Sequence, residues 1–232
     1  MNWVLSHAGD LAGLTLQHIV LCAPAIVLGF AVSVPLGYLA SRSRAGRAVL
    51  LTVGNILYTI PGIALVVLVP VVLGLPLQSS VNVIGALIVY AVALMVRAAY
   101  DAFSSVSGDI RQSATAQGYS PAQRFWRVEL PLAGPVLLAG VRVVSVSTIS
   151  LATVGALVGI PSLGTLFTDG FQRNFILEAV VGFVLVLLLA ALFDVVLTLI
   201  GRLLMPWSRA ELRGRRQAEN AALPAQHAGQ VV

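Results

Sequence analysis

Arg142 and Asp194 each lie inside an apolar run of more than twenty residues, and Arg97 stands four residues before Asp101 near the end of another. Ionisable groups in such surroundings are costly unless paired or used, so each is a candidate for function. Arg142 and Asp194 are each several residues inside the same end of their runs, at comparable depth given about 1.5 Å of rise per helical residue. They are expected to neutralise one another as an intramembrane ion pair, structural in preference to a proton relay. Arg97 is close enough to its run's end for its stem to carry the guanidinium to the surface. Other chemistry is thinly supplied. Cys22 is the single cysteine, which excludes a disulfide or cysteine–metal framework. His7, His18 and His227 lack metal-ligand spacing and read as interfacial or solvated. No histidine falls in the last four apolar runs, so a hydrolase built from a nucleophile and its base is disfavoured. No GxxxxGK[ST] sequence occurs, so ATP phosphates are not cradled here by a P-loop. No catalytic, cofactor-binding or metal residue is assigned, and the chain is not expected to be an enzyme.

The elements that position these groups follow from composition. With 58% hydrophobic and 10% charged residues and a mean hydropathy of +0.95, the chain lies far from soluble proteins, about a quarter of whose residues are charged. Runs long enough to cross a bilayer, about twenty residues, fall near 14–40, 48–73, 81–102, 132–158 and 175–204. The fold class expected is all-α, a polytopic membrane bundle of about five helices. Every basic side chain is an arginine. With the N-terminus outside, Arg42, Arg44, Arg47, Arg111, Arg124, Arg127 and the arginines from Arg202 onward fall inside, Arg97 and Arg142 lie nearer the inner ends of their spans, and only Arg173 falls outside. The C-terminus is then inside. The pI of about 10.1 reports this topology, and no nucleic-acid partner is expected. Residues 1–13 read as an outer segment without the basic start of a cleavable signal. Residues 14–206 read as the membrane domain, and 207–232 as a cytoplasmic tail with little fixed structure.

Between the third and fourth runs, about 108–131, lies a polar segment that reads as two short helices. Gly118 can end the first in a left-handed cap, and Ser120-Pro121-Ala122-Gln123 supplies an N-cap, a first-turn proline and a capping-box glutamine for the second. The second helix is expected to stop before Leu130-Pro131. Within the runs, Pro35-Leu36-Gly37, Thr59-Ile60-Pro61-Gly62 and Gly159-Ile160-Pro161 mark bends. The connection after the fourth run, with Gly159, Gly164 and Gly170, suits a re-entrant or hairpin loop serving as an external gate or docking surface, or a plain connector.

The polar segment resembles the cytoplasmic coupling loop of ATP-binding cassette importer permeases, with Gly118 and Val128-Glu129-Leu130-Pro131 matching and Gln112-Ser113-Ala114 standing where the family has Glu-Ala-Ala. The run from Asn55 to Leu65, NILYTIPGIAL, resembles the Asn-x-x-x-Thr-Ile-Pro-x-x-Ala-Leu stretch of permeases that import osmoprotectants. Tyr90 followed by Arg97, Leu132-Ala133, and Ala139-Gly140-Val141-Arg142 are similar too, whereas Gly159-Ile160-Pro161-Ser162-Leu163-Gly164 replaces the family's Gly-Ala-Gly-Gly-Leu-Gly. The resemblance implies a type I importer permease fold and a transmembrane subunit moving glycine betaine, carnitine, choline or proline betaine across the bacterial cytoplasmic membrane. It also implies partners: ATPase subunits that bind the ATP, a second permease subunit, identical or closely related, and an extracytoplasmic solute-binding protein, with lipid around them. Gln112, Ala114, Gly118, Tyr119, Ser120, Glu129, Leu130 and Pro131 become the coupling-loop candidates, and Asn55, Thr59, Pro61, Gly159 and Gly164 the pathway or gate candidates. Aromatic residues make up 7% of the chain and do not cluster along it, so selectivity is expected to reside in the binding protein. The alternatives are a methionine or other amino-acid importer permease of the same superfamily, and a secondary transporter, whose paired repeats and midplane coupling groups are not visible.

Overall fold

The computed structural model describes residues 2–74, 76 and 78–207, and every regular element among them is helical. A five-residue helix, α1 (Asn2–Ser6), leads into α2 (Ala8–Ala40), which returns through Ser41–Ser43 to α3 (Arg44–Thr59). Next come α4 (Gly62–Leu73) and α5 (Ser80–Ser104). The polar segment forms α6 (Gly108–Ala116) and α7 (Pro121–Arg124), and α7 continues through one π-helical turn, Phe125–Glu129, into α8 (Leu130–Ala152). A 3₁₀ stretch, Thr153–Val158, then α9 (Thr165–Gln172) and α10 (Ile176–Leu204) complete the described chain. The proposed tail falls outside the described residues from 208 onward.

Among the described residues, four helical runs are long and apolar enough to cross a membrane: α2, α5, the run from Pro121 to Val158, and α10. A fifth crossing exists only if α3 and α4 count as one span, and the two are bent by 105°. The second apolar run is therefore a broken helix, interrupted where the bend at Thr59–Gly62 was expected. Pro61 has no N–H to continue the ladder, and its ring drives the preceding residue out of the α region. Ile60 accordingly takes φ −67°, ψ 124°. The first spanning helix begins at Ala8, six residues before the apolar run read from position 14.

Small residues set the packing. Because lipid tails are as apolar as leucine, helices in a membrane associate mainly through close van der Waals contact. Gly29 faces Ala91 and Gly37 faces Ala99, so α2 and α5 run along one another at short range. The seam makes α5 the axial helix, touching α2, α3, α4 and α8, with Leu87, Met95 and Phe103 fully buried. Most of α10, in contrast, is uncovered: only 11% of its most apolar stretch is buried, leaving a face for lipid or a second subunit.

Candidate functional site: a knob bolted to three spans, and a broken span

The α6–α7 unit forms a knob at one end of the bundle, and its elbow follows from its residues. Gly118 has φ 84°, in the left-handed region where glycine meets no penalty. With it, Tyr119 N–H bonds to Ala114 C=O at 3.2 Å and Gly118 N–H to Thr115 C=O at 3.0 Å, a Schellman motif. Ser120 and Gln123 close the capping box: Gln123 N–H donates to Ser120 Oγ at 3.3 Å, and Ser120 N–H to Gln123 Oε1 at 2.9 Å.

The second knob helix does not stop before Leu130–Pro131 as expected. Leu130 N–H bonds five residues back to Phe125 C=O, the widened spacing of a π turn. That turn takes up the proline, which lies in the first turn of α8 where a missing N–H costs little. The knob is therefore continuous with a membrane-spanning helix.

Glu129, at the end of the π turn, is fully buried. Three arginines converge on it. Arg42, from the turn after α2, places Nη2 2.6 Å from both carboxylate oxygens. Arg124, from α7, donates from Nε to Oε1 at 3.0 Å and from Nη1 to Thr115 Oγ1 at 2.9 Å. Arg111, from α6, brings Nε to 3.3 Å of Oε2 without hydrogen-bond alignment, so that contact is electrostatic, while its Nη2 donates to Phe103 C=O at the end of α5. Burial disfavours the charge on Arg42, but hydrogen bonds to Glu129 and to Tyr38, whose hydroxyl lies 2.7 Å away, outweigh it and raise the guanidinium pKa. Under this cage Tyr38, Phe103 and Phe125 pack edge to face or tilted, with centroids 4.6–5.8 Å apart. One carboxylate thus ties the knob to the ends of α2, α5 and α8.

Of the coupling-loop candidates, Gln112, Gly118 and Ser120 are on the knob's surface and Tyr119 is half-buried. Ala114 and Glu129 are buried, and Leu130 and Pro131 are half-buried at the junction with α8. The surface a partner would meet is therefore the elbow itself.

The pathway candidates separate into two places. Asn55, Thr59 and Pro61 lie together, exposed, where α3 breaks, and Thr59 Oγ1 donates to Asn55 C=O at 2.8 Å. Beside them Tyr58 of α3 meets Tyr90 of α5 at 5.6 Å between ring centroids. Aromatic residues scattered in the sequence are thus brought together, which the sequence did not reveal. Gly159 and Gly164 lie at the opposite end of the bundle from the knob. Gly159 is left-handed at φ 80°. Gly164 is pressed against the Thr153 carbonyl so closely that no side chain fits.

Arg142 and Asp194 meet as expected: Nε to Oδ1 at 2.6 Å and Nη2 to Oδ2 at 2.7 Å, a bidentate pair joining α8 to α10. His18 differs from expectation, being wholly buried. Its Nε2 donates to Ile149 C=O at 3.0 Å and its Nδ1 accepts from Leu163 N–H at 3.3 Å, which defines the tautomer. A single helical face of α2 is thereby tied to α8 and to the Gly159–Gly164 connection. Among the described residues no His, Cys, Asp and Glu cluster could hold a metal ion.

The architecture is that of solved importer permeases. The methionine transporter MetNI in an inward-facing crystal form is similar at TM-score 0.67 and 22% identity, covering 84% of this chain and 94% of that one. An amino-acid ABC transporter solved with histidines is similar at TM-score 0.66 and 15% identity, covering 86% and 96%. The fold is therefore the type I ABC importer permease fold.

Residues 33–210 match the family described as "Binding-protein-dependent transport system inner membrane component", and the chain belongs to that family. It is 31% identical to the choline transport system permease protein OpuBB of Bacillus subtilis (strain 168), over 92% of this chain and 97% of that one. It is also 31% identical to the osmoprotectant import permease protein OsmW of Salmonella typhimurium, over 84% and 91%. The ergothioneine transport permease/ergothioneine binding protein EgtU of Helicobacter pylori is 34% identical over 73% of this chain and 30% of that longer one. The chain is a membrane component of an ABC transport system, a family of transporters rather than enzymes, and membership implies an ATPase and a binding protein as partners.

Proposed function

We propose that this chain is the transmembrane permease subunit of an ATP-driven importer of quaternary-ammonium compatible solutes: glycine betaine, carnitine, choline or proline betaine. The observation that carries the reading is identity near 30% over almost the whole chain with permeases named for choline and for osmoprotectant import. Choline, carnitine, glycine betaine and ergothioneine, the solutes in the names of several relatives, share a trimethylammonium group. The amino-acid importer alternative rests on fold likeness alone.

The protein would lie in the bacterial cytoplasmic membrane with the knob end, and the C-terminus, inside. The arginine distribution supports this orientation, since Arg42, Arg44, Arg47, Arg111, Arg124, Arg127 and Arg202 gather at the knob end. Two permease subunits, identical or paired with a close relative, enclose the pathway. Two ATPases dock on the knobs and bind the ATP, and a binding protein delivers solute at the far end, where Gly159 and Gly164 shape the connection. When the ATPases close, they displace the elbow around Gly118. The arginine cage on Glu129 passes that displacement to α2, α5 and α8 together, so the spans rock as a body between two states, each needing its own contacts.

The test is uptake into proteoliposomes. With ATPase and binding protein present, ATP should drive accumulation of labelled choline or glycine betaine, and omission of either partner should abolish it. ATP-independent accumulation by this chain alone would point to a secondary transporter, and ATP-driven uptake of methionine instead would favour the amino-acid reading.

A further inference from the structure

Two features at the break in the second span favour a cation. The first is the tyrosine pair. Tyr58 and Tyr90 have ring centroids 5.6 Å apart and planes inclined by 37°. Tyr58 is 51% exposed, yet fourteen residues of helix, about 21 Å, separate it from Arg44. Tyr90 lies equally far from Ser104. Both rings are therefore well within an apolar layer about 30 Å thick, whereas tyrosines that meet lipid gather at its two interfaces. The adjoining side of α3 exposes Thr52, Asn55 and Thr59, at helical positions i, i+3 and i+7. A polar stripe at this depth suits a water-filled path and not lipid.

The second feature is the end of α3. Its sixteen residues terminate at Ile60–Pro61, in mid-membrane, so its last carbonyls point into the break and carry about half a negative charge. Discontinuous helices in transporters place cations at such carbonyl ends. Ring faces carry negative potential as well.

We propose that Tyr58, Tyr90 and the carbonyl end of α3 form a transit site for the trimethylammonium group of the solute, inside the permease. This inference rests on the substrate reading above and gives it a place in the membrane. A site of ring faces and carbonyls, rather than a carboxylate, holds the cation loosely enough to let it leave, which conduction requires. Selectivity is then shared between the binding protein and the permease.

The test uses the complete transporter, with its ATPase and binding protein, in proteoliposomes. Tyr58→Leu and Tyr90→Leu should each lower the maximal choline uptake rate about tenfold, equivalent to about 1.4 kcal/mol, whereas Tyr58→Phe and Tyr90→Phe should remain within about twofold of the parent because the ring face is kept. Leucine variants that transport at the parent rate would overturn the site, as would phenylalanine variants that fail like leucine. Trifluorinated phenylalanine at position 58 separates chemistry from folding: it keeps the ring's shape and depletes its face. It should slow uptake relative to phenylalanine with unchanged yield of assembled complex, and equal rates would overturn the proposal. If the parent complex drives no quaternary-ammonium uptake at all, the substrate reading fails first and takes this site's ligand with it.

Discussion

Glu129→Gln should loosen the knob from three spans at once while leaving the fold of each span intact. The parent carboxylate accepts charge-assisted bonds from Arg42 and Arg124 and lies 3.3 Å from Arg111. Hydrogen bonds to charged groups contribute about 1.5–3 kcal/mol each, and removing one partner of a buried ion pair costs about 3–5 kcal/mol. The arginine side chains are 20–29% exposed, so they can turn partly to water, and glutamine keeps one acceptor. Both effects bring the cost to the lower end, about 3 kcal/mol, or more than a hundredfold in the population of a detached knob. Hydrogen exchange should read this directly. Amides of α6 and α7 should exchange at least about a hundredfold faster in Glu129→Gln, with α5 and α10 unchanged. In the reconstituted complex, ATP hydrolysis should continue while solute moved per ATP falls. Arg42→Gln should do less, because Arg111 and Arg124 still face the carboxylate. Unchanged exchange together with normal coupling in Glu129→Gln would refute the idea that this residue carries force from knob to spans.

Gly118→Val should strain a position with φ 84° at about 1–2 kcal/mol; no atom lies near enough for a clash. Membrane abundance should stay near the parent level on quantitative blots, while uptake and co-purification of the ATPase fall. Arg142→Leu and Asp194→Leu should each lower the yield of folded protein, since each strands a charge at membrane depth, and the double variant should recover most of it. A double variant no better than the singles would argue for a functional charge. His18→Leu leaves the Ile149 carbonyl and the Leu163 N–H without their partner, at about 1–3 kcal/mol for each buried group. Its thermal midpoint should fall below that of His18→Gln, whose amide can replace one of the two bonds.

Local features were legible in the sequence because their causes are local. Gly118 and Ser120 to Gln123 specify the elbow and the capping box within a dozen residues, and the lengths of the apolar runs mark the four spanning helices and the broken second run. The Arg142–Asp194 pair was legible because helical rise converts sequence position into depth. The break at Pro61 was visible as a bend, but its 105° angle depends on how α4 packs against α5. The helix stop expected before Leu130–Pro131 was wrong because a proline in the first turn after a π turn ends nothing. The cage on Glu129 was hidden by distance along the chain: Arg42 is 87 residues away, and nothing local distinguishes it from Arg44 or Arg47. A lone glutamate within a segment otherwise rich in arginine was the signal available. Tyr58 and Tyr90 meet only because Gly54 lets α3 approach α5 closely, and His18 is buried only because the far connection folds over it.

Site-specific cross-linking tests the central claim, that the knob is where the ATPase pushes. Cys22 is buried, so single cysteines in place of Gln112 and Ala116 on the elbow, and of Leu157 at the far end, can be introduced into the assembled complex. The elbow cysteines should cross-link to the ATPase with an efficiency that changes when ATP is added, and the cysteine at 157 should not cross-link to it at all. ATPase captured at 157, or elbow cysteines that react only with reagents added outside the membrane, would contradict the account.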